Sequence, residues 1–340
     1  MLLDLLDAIA SEFSLSNPCL VADFRSWGDT IRWRVSTSNT SDFFIKEKVF
    51  YLDPQEFSLH LELHQYLLDK GGPVTGIRKT NSGKLWFEIQ GRYFEAQAWA
   101  DGLSLDSSRP EQCSALGNAL ALFQQKAMGF VDHNFAGWQS PNARSRWFPD
   151  RCDILINYAD QYLGKRIERA SPNTYSLYLQ IRAEIESRVN NKAWNSLNCQ
   201  FLHGDPSPEN CLWKSDTQTP LWIDLDDARW GFRIWDLARC AVELAAIKPR
   251  KPHEVAILRS DWDLETLSLL LDGFESVLPL DNCEKVMLPE CLVLASVAVI
   301  IALLDLDETE LQTPDEITCI CRSLLHLINT IPAIESFRKI

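Results

Sequence analysis

The stretch FLHGDPSPENCLW, residues 201–213, sets His203, Asp205 and Asn210 in a cramped polar loop between two apolar runs. Downstream, strand-like residues 211–213 and 221–223 flank a polar turn over 214–220. An antiparallel hairpin without a bulge, centred near Thr217, makes positions 210 and 224 face each other across the ladder. Those positions hold Asn210 and Asp224. An amide oxygen beside a carboxylate is a hard, oxygen-only site suited to Mg²⁺, which substrate phosphates and waters complete. Asp205 opens the same loop, where a carboxylate can accept a proton from a hydroxyl that attacks phosphorus.

The rest of the chain sets bounds on that chemistry. A length of 340 residues fits two lobes better than one core. The composition, 46% hydrophobic and 24% charged, is that of a folded protein without a disorder signature. A net charge of −14 argues against nucleic-acid and anionic-membrane partners and mildly favours a cationic small molecule. The ten cysteines form no CxxC pair, so buried free thiols in a reducing compartment are expected, and no zinc site. Asp4 and Asp7 interrupt the apolar start of the chain, which reads as an amphipathic helix packed on the body. The apolar run over 291–304 is short for a membrane span and suits a buried core helix. These features predict a cytoplasmic protein; none bears on its oligomeric state.

Secondary-structure patterning divides the chain. Residues 20–25, 31–36 and 43–49 read as three strands, and 58–70 as a helix stopped by Gly71-Gly72-Pro73. Two more strands, 84–90 and 92–99, join at Gln90-Gly91. From Pro110 onward helices dominate, over 111–126, 152–163, 176–189, 235–247, 263–278, 288–304 and 315–330. The expected fold class is α+β, with a β-rich lobe over 1–99 and a mostly helical lobe over 100–340 that carries the 201–227 hairpin.

An Asp base, an Asn ligand five residues on and an Asp ligand on a partner strand form the phosphoryl-transfer layout of kinases. The usual H-R-D-x-x-x-x-N reads His203-Gly204-Asp205-x-x-x-x-Asn210, and Ile223-Asp224-Leu225-Asp226 stands in place of D-F-G. HGD…N…IDLDDARWG…WDLAR resembles the core of the aminoglycoside phosphotransferase and choline kinase-like family, especially its bacterial stress response kinases.

That resemblance implies a two-lobe, protein kinase-like fold that uses ATP and Mg²⁺. It implies a phosphate-holding lysine on the third strand, Lys46 in FFIK, with Lys48 as the alternative on the same face. It makes Glu62 the lysine's orienter and the connection from Gln97 through Trp99 to Ala100 the adenine-binding edge. Asp236 becomes the brace of the catalytic loop, and His203 a structural residue. One departure stands out: the first turn, residues 25–30, has a single glycine where kinases carry a Gly-rich loop.

Each residue alone has a plainer reading. Asp205 could be a turn former, Asn210 a cap, Lys46 and Glu62 ordinary charges, and the tryptophans core. Trp138, Trp147 and Trp230 sit in loop-like stretches suited to a substrate pocket. The leading functional expectation is a phosphotransferase acting on a small-molecule hydroxyl, such as an amino alcohol, aminoglycoside, homoserine or sugar. The alternatives are a serine/threonine protein kinase and a catalytically silent nucleotide-binding scaffold.

Overall fold

The computed structural model describes residues 2–24, 30–38, 42–48, 54–106, 108–130, 172–189, 192–214, 219–248, 258–306 and 314–331. The helix expected over 152–163, Cys152, Trp138, Trp147 and residues 25–29 of the first turn lie outside them. The chain divides into two compact units, Met1–Leu103 with Lys214–Asp226, and Ser104–Trp213 with Asp227–Ile340. Residues 214–226 go with the first unit. Local bonds explain the assignment: Trp222 N donates to Pro73 O at 2.8 Å, and Trp222 bridges Val74 in parallel.

In the first unit, α1 (Leu2–Glu12) precedes β1 (Cys19–Asp23), β2 (Arg32–Ser36) and β3 (Phe43–Glu47). Then come α2 (Pro54–Asp69), β4 (Ile77–Arg78), β5 (Phe87–Ile89), β6 (Arg92–Ala98) and the short β7 (Leu103–Ser104). The sheet runs β1-β2-β3-β6-β4, with β5 also on β6. Its register sets Trp33 against Ile45 and Ile45 against Ala96, while Arg32 faces Lys46 and Lys46 faces Glu95. Directly opposed residues share a face and the next pair takes the other. One face is therefore apolar and the other charged. The expected N-terminal helix covers the apolar face, burying Leu6, Ile9 and Phe13 on Trp33, Val35 and Ile45. Each such side chain contributes about 1.5–3 kcal/mol. The helix α2 packs Phe57 and Leu61 against Leu85, Trp86 and Tyr93.

In the second unit, α3 (Pro110–Ala127) and α4 (Pro172–Val189) lead to β8 (Cys199–Leu202). Strands β9 (Cys211–Lys214) and β10 (Thr219–Trp222) follow, with β10 in the first unit. Then come β11 (Arg229–Phe232), α5 (Arg233–Ala241), α6 (Leu264–Val277), α7 (Asn282–Leu306) and α8 (Pro314–Asn329). A turn of π-helix, Val242–Ala246, extends α5. The pair α3 and α6 meets at glycines: a Cβ on Gly117 would lie 2.0 Å from Leu270 O, and one on Gly273 2.0 Å from Ser114 O. Only bare backbone allows that approach.

In α7, residues 291–299 are all buried, so the apolar run is a core helix. No described helix is long and apolar enough to cross a membrane. All described cysteines are free thiols, but Cys19, Cys199 and Cys319 are exposed rather than buried. Burial pushes the Cys113 thiol up to about 11 and Cys321 to about 12.

Candidate active site

The HGD loop leaves β8 beside the point where the chain enters β11, because the two strands pair antiparallel with Leu202 opposite Arg229. Gly204 has φ +86°, and a Cβ there would sit 1.8 Å from Asp227 O. This accounts for glycine in place of the usual arginine: the position demands left-handed backbone and tolerates no side chain. Asp236, on α5 and fully buried, accepts the N–H groups of His203 at 2.7 Å and Gly204 at 3.0 Å. It braces the loop through backbone. Burial raises its pKa, outweighing the opposing effect of His203 and these bonds. The His203 ring is buried and packs on Phe123 at 5.6 Å.

Asp205 is gripped on both oxygens. Arg239 Nη2 donates to Oδ1 at 2.7 Å and Asn210 Nδ2 to Oδ2 at 2.9 Å. The Asn210 amide also donates to Asp205 O at 3.0 Å. Each carboxylate oxygen keeps a lone pair for a hydroxyl, and the side chain is 30% exposed. Arg239 escaped the sequence reading. Its signal was its place three residues after Asp236, on the same helix face. Burial disfavours its charge, but Asp205 and Glu243 more than offset that and raise its pKa.

In the first unit both candidate lysines are buried, and they share a carboxylate. Lys46 Nζ lies 2.6 Å from Asp224 Oδ1 and 2.6 Å from Asp226 Oδ2. Lys48 pairs with Asp226 Oδ1 and, at 2.9 Å, with Glu95. Glu95 is fully buried and accepts from Gln97 Nε2 at 2.9 Å; the Gln97 carbonyl oxygen accepts from Thr75 Oγ1 at 2.8 Å. Burial pulls the Lys46 pKa down, but Asp224, Asp226 and Glu95 carry it above the usual lysine value. Burial likewise opposes ionisation of Asp226, yet the two lysines hold its pKa well below the carboxylate range.

Asn210 and Asp224, one in each unit, both keep a side-chain oxygen open. With its amide nitrogen spent on Asp205, Asn210 keeps Oδ1 without a partner among the described residues. Asp224 gives only Oδ1 to Lys46, and its side chain is 30% exposed. Both donors suit Mg²⁺. Neither residue ends a strand as the hairpin reading expected. Asn210 closes the 3₁₀ turn Pro208–Asn210, and Asp224 follows β10 at φ +60°. That left-handed residue stops the strand, so Asp226 lies in the 3₁₀ turn Leu225–Asp227.

The other expected nucleotide contacts lie in the first unit. Glu62 is on an exposed position of α2, while the carboxylates acting on Lys46 are Asp224, Asp226 and Glu95. Gln97 is buried in the Glu95 network. Trp99 stacks on Phe24 at 5.8 Å, and the Arg34 guanidinium lies 4.5 Å from its ring centroid. Ala98 N donates to Gly76 O at 2.7 Å and Trp99 N to Asp42 O at 2.9 Å, so both donors on this edge are already engaged.

Known structures share this fold. An amicoumacin kinase solved with AMP-PNP, Ca²⁺ and Ami superposes with a TM-score of 0.70 at 14% identity, covering 99% of this chain and 96% of its own. A microcompartment-associated aminopropanol kinase gives 0.57 at 14% identity, with 96% and 95% covered. An ethanolamine kinase from Plasmodium vivax gives 0.58 at 11% identity, with 91% and 82% covered. No curated protein matches the sequence. The shared fold is the kinase-like one that the HGD and IDLD segments imply. The sequence matches the phosphotransferase enzyme family over residues 27–268, most of its length, and the chain belongs to that family of kinase-type phosphotransferases.

Proposed function

We propose that this enzyme moves the γ-phosphate of ATP to the hydroxyl of an amine-bearing small molecule. The grip of Arg239 and Asn210 on Asp205 carries the reading. A carboxylate fixed in orientation, partly open and still able to accept is suited to aligning a hydroxyl for in-line attack. As the acceptor oxygen bonds the γ-phosphorus and the bond to the ADP oxygen breaks, Asp205 takes the hydroxyl proton. Lys46 holds the phosphates, backed by Asp226 and Lys48. Asn210 and Asp224 are the proposed ligands of Mg²⁺, which supplies charge neutralisation at the transferred group. Gln97 and Trp99 flank the nucleotide edge, and Glu62 has a secondary role at most, since Asp226 and Glu95 already hold the lysines.

The acceptor class rests on charge and likeness. The net charge of −14 attracts cations, and two fold relatives are named for the amino alcohols aminopropanol and ethanolamine. Trp230, 42% exposed and edge-on to Phe201 at 5.4 Å, offers an aromatic surface for such a group. The test is a screen of amino alcohols, aminoglycosides, homoserine and neutral sugars for stimulation of ADP release. Stimulation by amine-bearing alcohols is expected. Stimulation by neutral sugars alone, or phosphate transfer to protein alone, contradicts the acceptor assignment.

A further inference from the structure

The charged face of the first unit's sheet contains a cation that the lysine network does not account for. Arg32 is the first residue of β2, directly after the β1–β2 connection whose sequence lacks a Gly-rich loop. The register sets it opposite Lys46 on the same face. Like charges directly opposed on a ladder are unfavourable. Lys46 answers that repulsion with Asp224 and Asp226, each 2.6 Å away. The backbone O of Arg32 accepts from Phe24 N at 2.8 Å, but its side chain has no hydrogen bond or ion pair among the described residues, and its Nε is buried without a partner. Its neighbour on the same strand face is a contrast. Arg34 bonds Asp42 at 2.6 Å and lies over the Trp99 ring at 4.5 Å.

A half-buried guanidinium across from a lysine, with no carboxylate of its own among the described residues, is poised for an anion. The planar fork of arginine matches phosphate oxygens bidentately, whereas the two lysines are point charges already shared among three carboxylates. We infer that Arg32 is a phosphate ligand for the nucleotide, binding the β- or γ-phosphate and supplying through a side chain what backbone N–H groups of a Gly-rich loop supply elsewhere. This rests on the kinase reading above and adds a binding residue to it.

The test compares wild type with Arg32→Ala and Arg32→Lys by calorimetric binding of ATP, ADP and AMP in Mg²⁺, with melting temperature read without nucleotide. Arg32→Ala should weaken ATP at least tenfold and leave AMP within twofold, because AMP lacks the distal phosphates. Arg32→Lys should recover part of the ATP affinity, which a merely structural role would not give. Because the Arg32 side chain bonds no other described residue, the nucleotide-free melting temperature should hold in both variants. Equal ATP affinity in wild type and Arg32→Ala overturns the inference, as does equal loss of AMP and ATP. Should Arg32→Ala not fold, unchanged ATP affinity in Arg32→Lys and Arg32→Gln overturns it equally. Failure of wild type to bind ATP at all rejects the kinase reading, and this inference with it.

Discussion

Two aspartates, the partly buried Asp226 in the first unit and the fully buried Asp236 in the second, are held by opposite means. Asp226 sits between Lys46 and Lys48, and its pKa falls well below the carboxylate range despite burial. Asp236 accepts the backbone N–H groups of His203 and Gly204, and burial dominates to raise its pKa. Two lysines keep the Asp226 carboxylate charged. Backbone donors suffice where the task is only to fix a loop. One residue type thus anchors an ion-pair network in one unit and braces a loop in the other.

The largest expected effect comes from breaking the ionic side of that contrast. Glu95→Gln removes one carboxylate from Lys48, both partners being almost wholly buried. Breaking a buried pair from one side costs about 3–5 kcal/mol. Urea unfolding should show a loss of that order, accompanied by weaker ATP binding through Asp226 and Lys46. A loss under about 1 kcal/mol would mean that Lys48 is carried by Asp226 alone.

The backbone side is broken at Gly204. The residue has φ +86°, and an added methyl carbon would meet Asp227 O at 1.8 Å, so Gly204→Ala must displace the loop that Asp236 holds. A shift of about 1 Å in a reacting group costs on the order of 100-fold in rate. Turnover should fall by at least that much, and by more than ATP affinity does, since the first-unit lysines are untouched.

Acid separates the two aspartates directly. A depressed native pKa makes Asp226 contribute stability above its unfolded pKa of about 3.9, and that contribution is lost as pH falls through the native value. Asp236 has the opposite sign: its raised pKa costs stability at neutral pH, and protonation relieves that cost as pH falls. Melting temperature followed from pH 7 downward should therefore flatten in Asp226→Asn and steepen in Asp236→Asn. Each slope change is bounded by about 1.4 kcal/mol per pH unit. Parallel curves for the two variants would remove the contrast.

The smallest effect belongs to an exposed pair on α4. Arg182 and Glu186 lie 2.6 Å apart with side chains 35% and 42% exposed. Glu186→Ala should change stability by no more than about 0.5 kcal/mol. It is the control that separates buried ion pairs from surface ones.

Much of this organisation was legible in the sequence because it is local. The spacing from Asp205 to Asn210 lies within one loop, and their bond follows from it. Lys46 on the third strand, the covering helix α1 and the α2 stop at Gly71-Gly72 were likewise readable from short patterns. What escaped depends on register or on distant chain. Glu95 is buried in a run, residues 94–97, with no alternation to mark its face, and only its pairing with Lys46 places it. Arg32 gains meaning only from the same register. Asp224 was expected on a strand, and its positive φ, which no neighbouring glycine announces, moves Asp226 into a turn. The lobe boundary shifted because residues 214–226 are fastened to the first unit by Pro73 and the two lysines, contacts far away in sequence.

We propose that Asp205 handles the acceptor hydroxyl. Its direct test is single-turnover phosphoryl transfer by Asp205→Asn with ATP affinity measured on the same samples. The expected result is a rate lower by about 10²–10⁴-fold with ATP affinity unchanged. Transfer at the wild-type rate would contradict it.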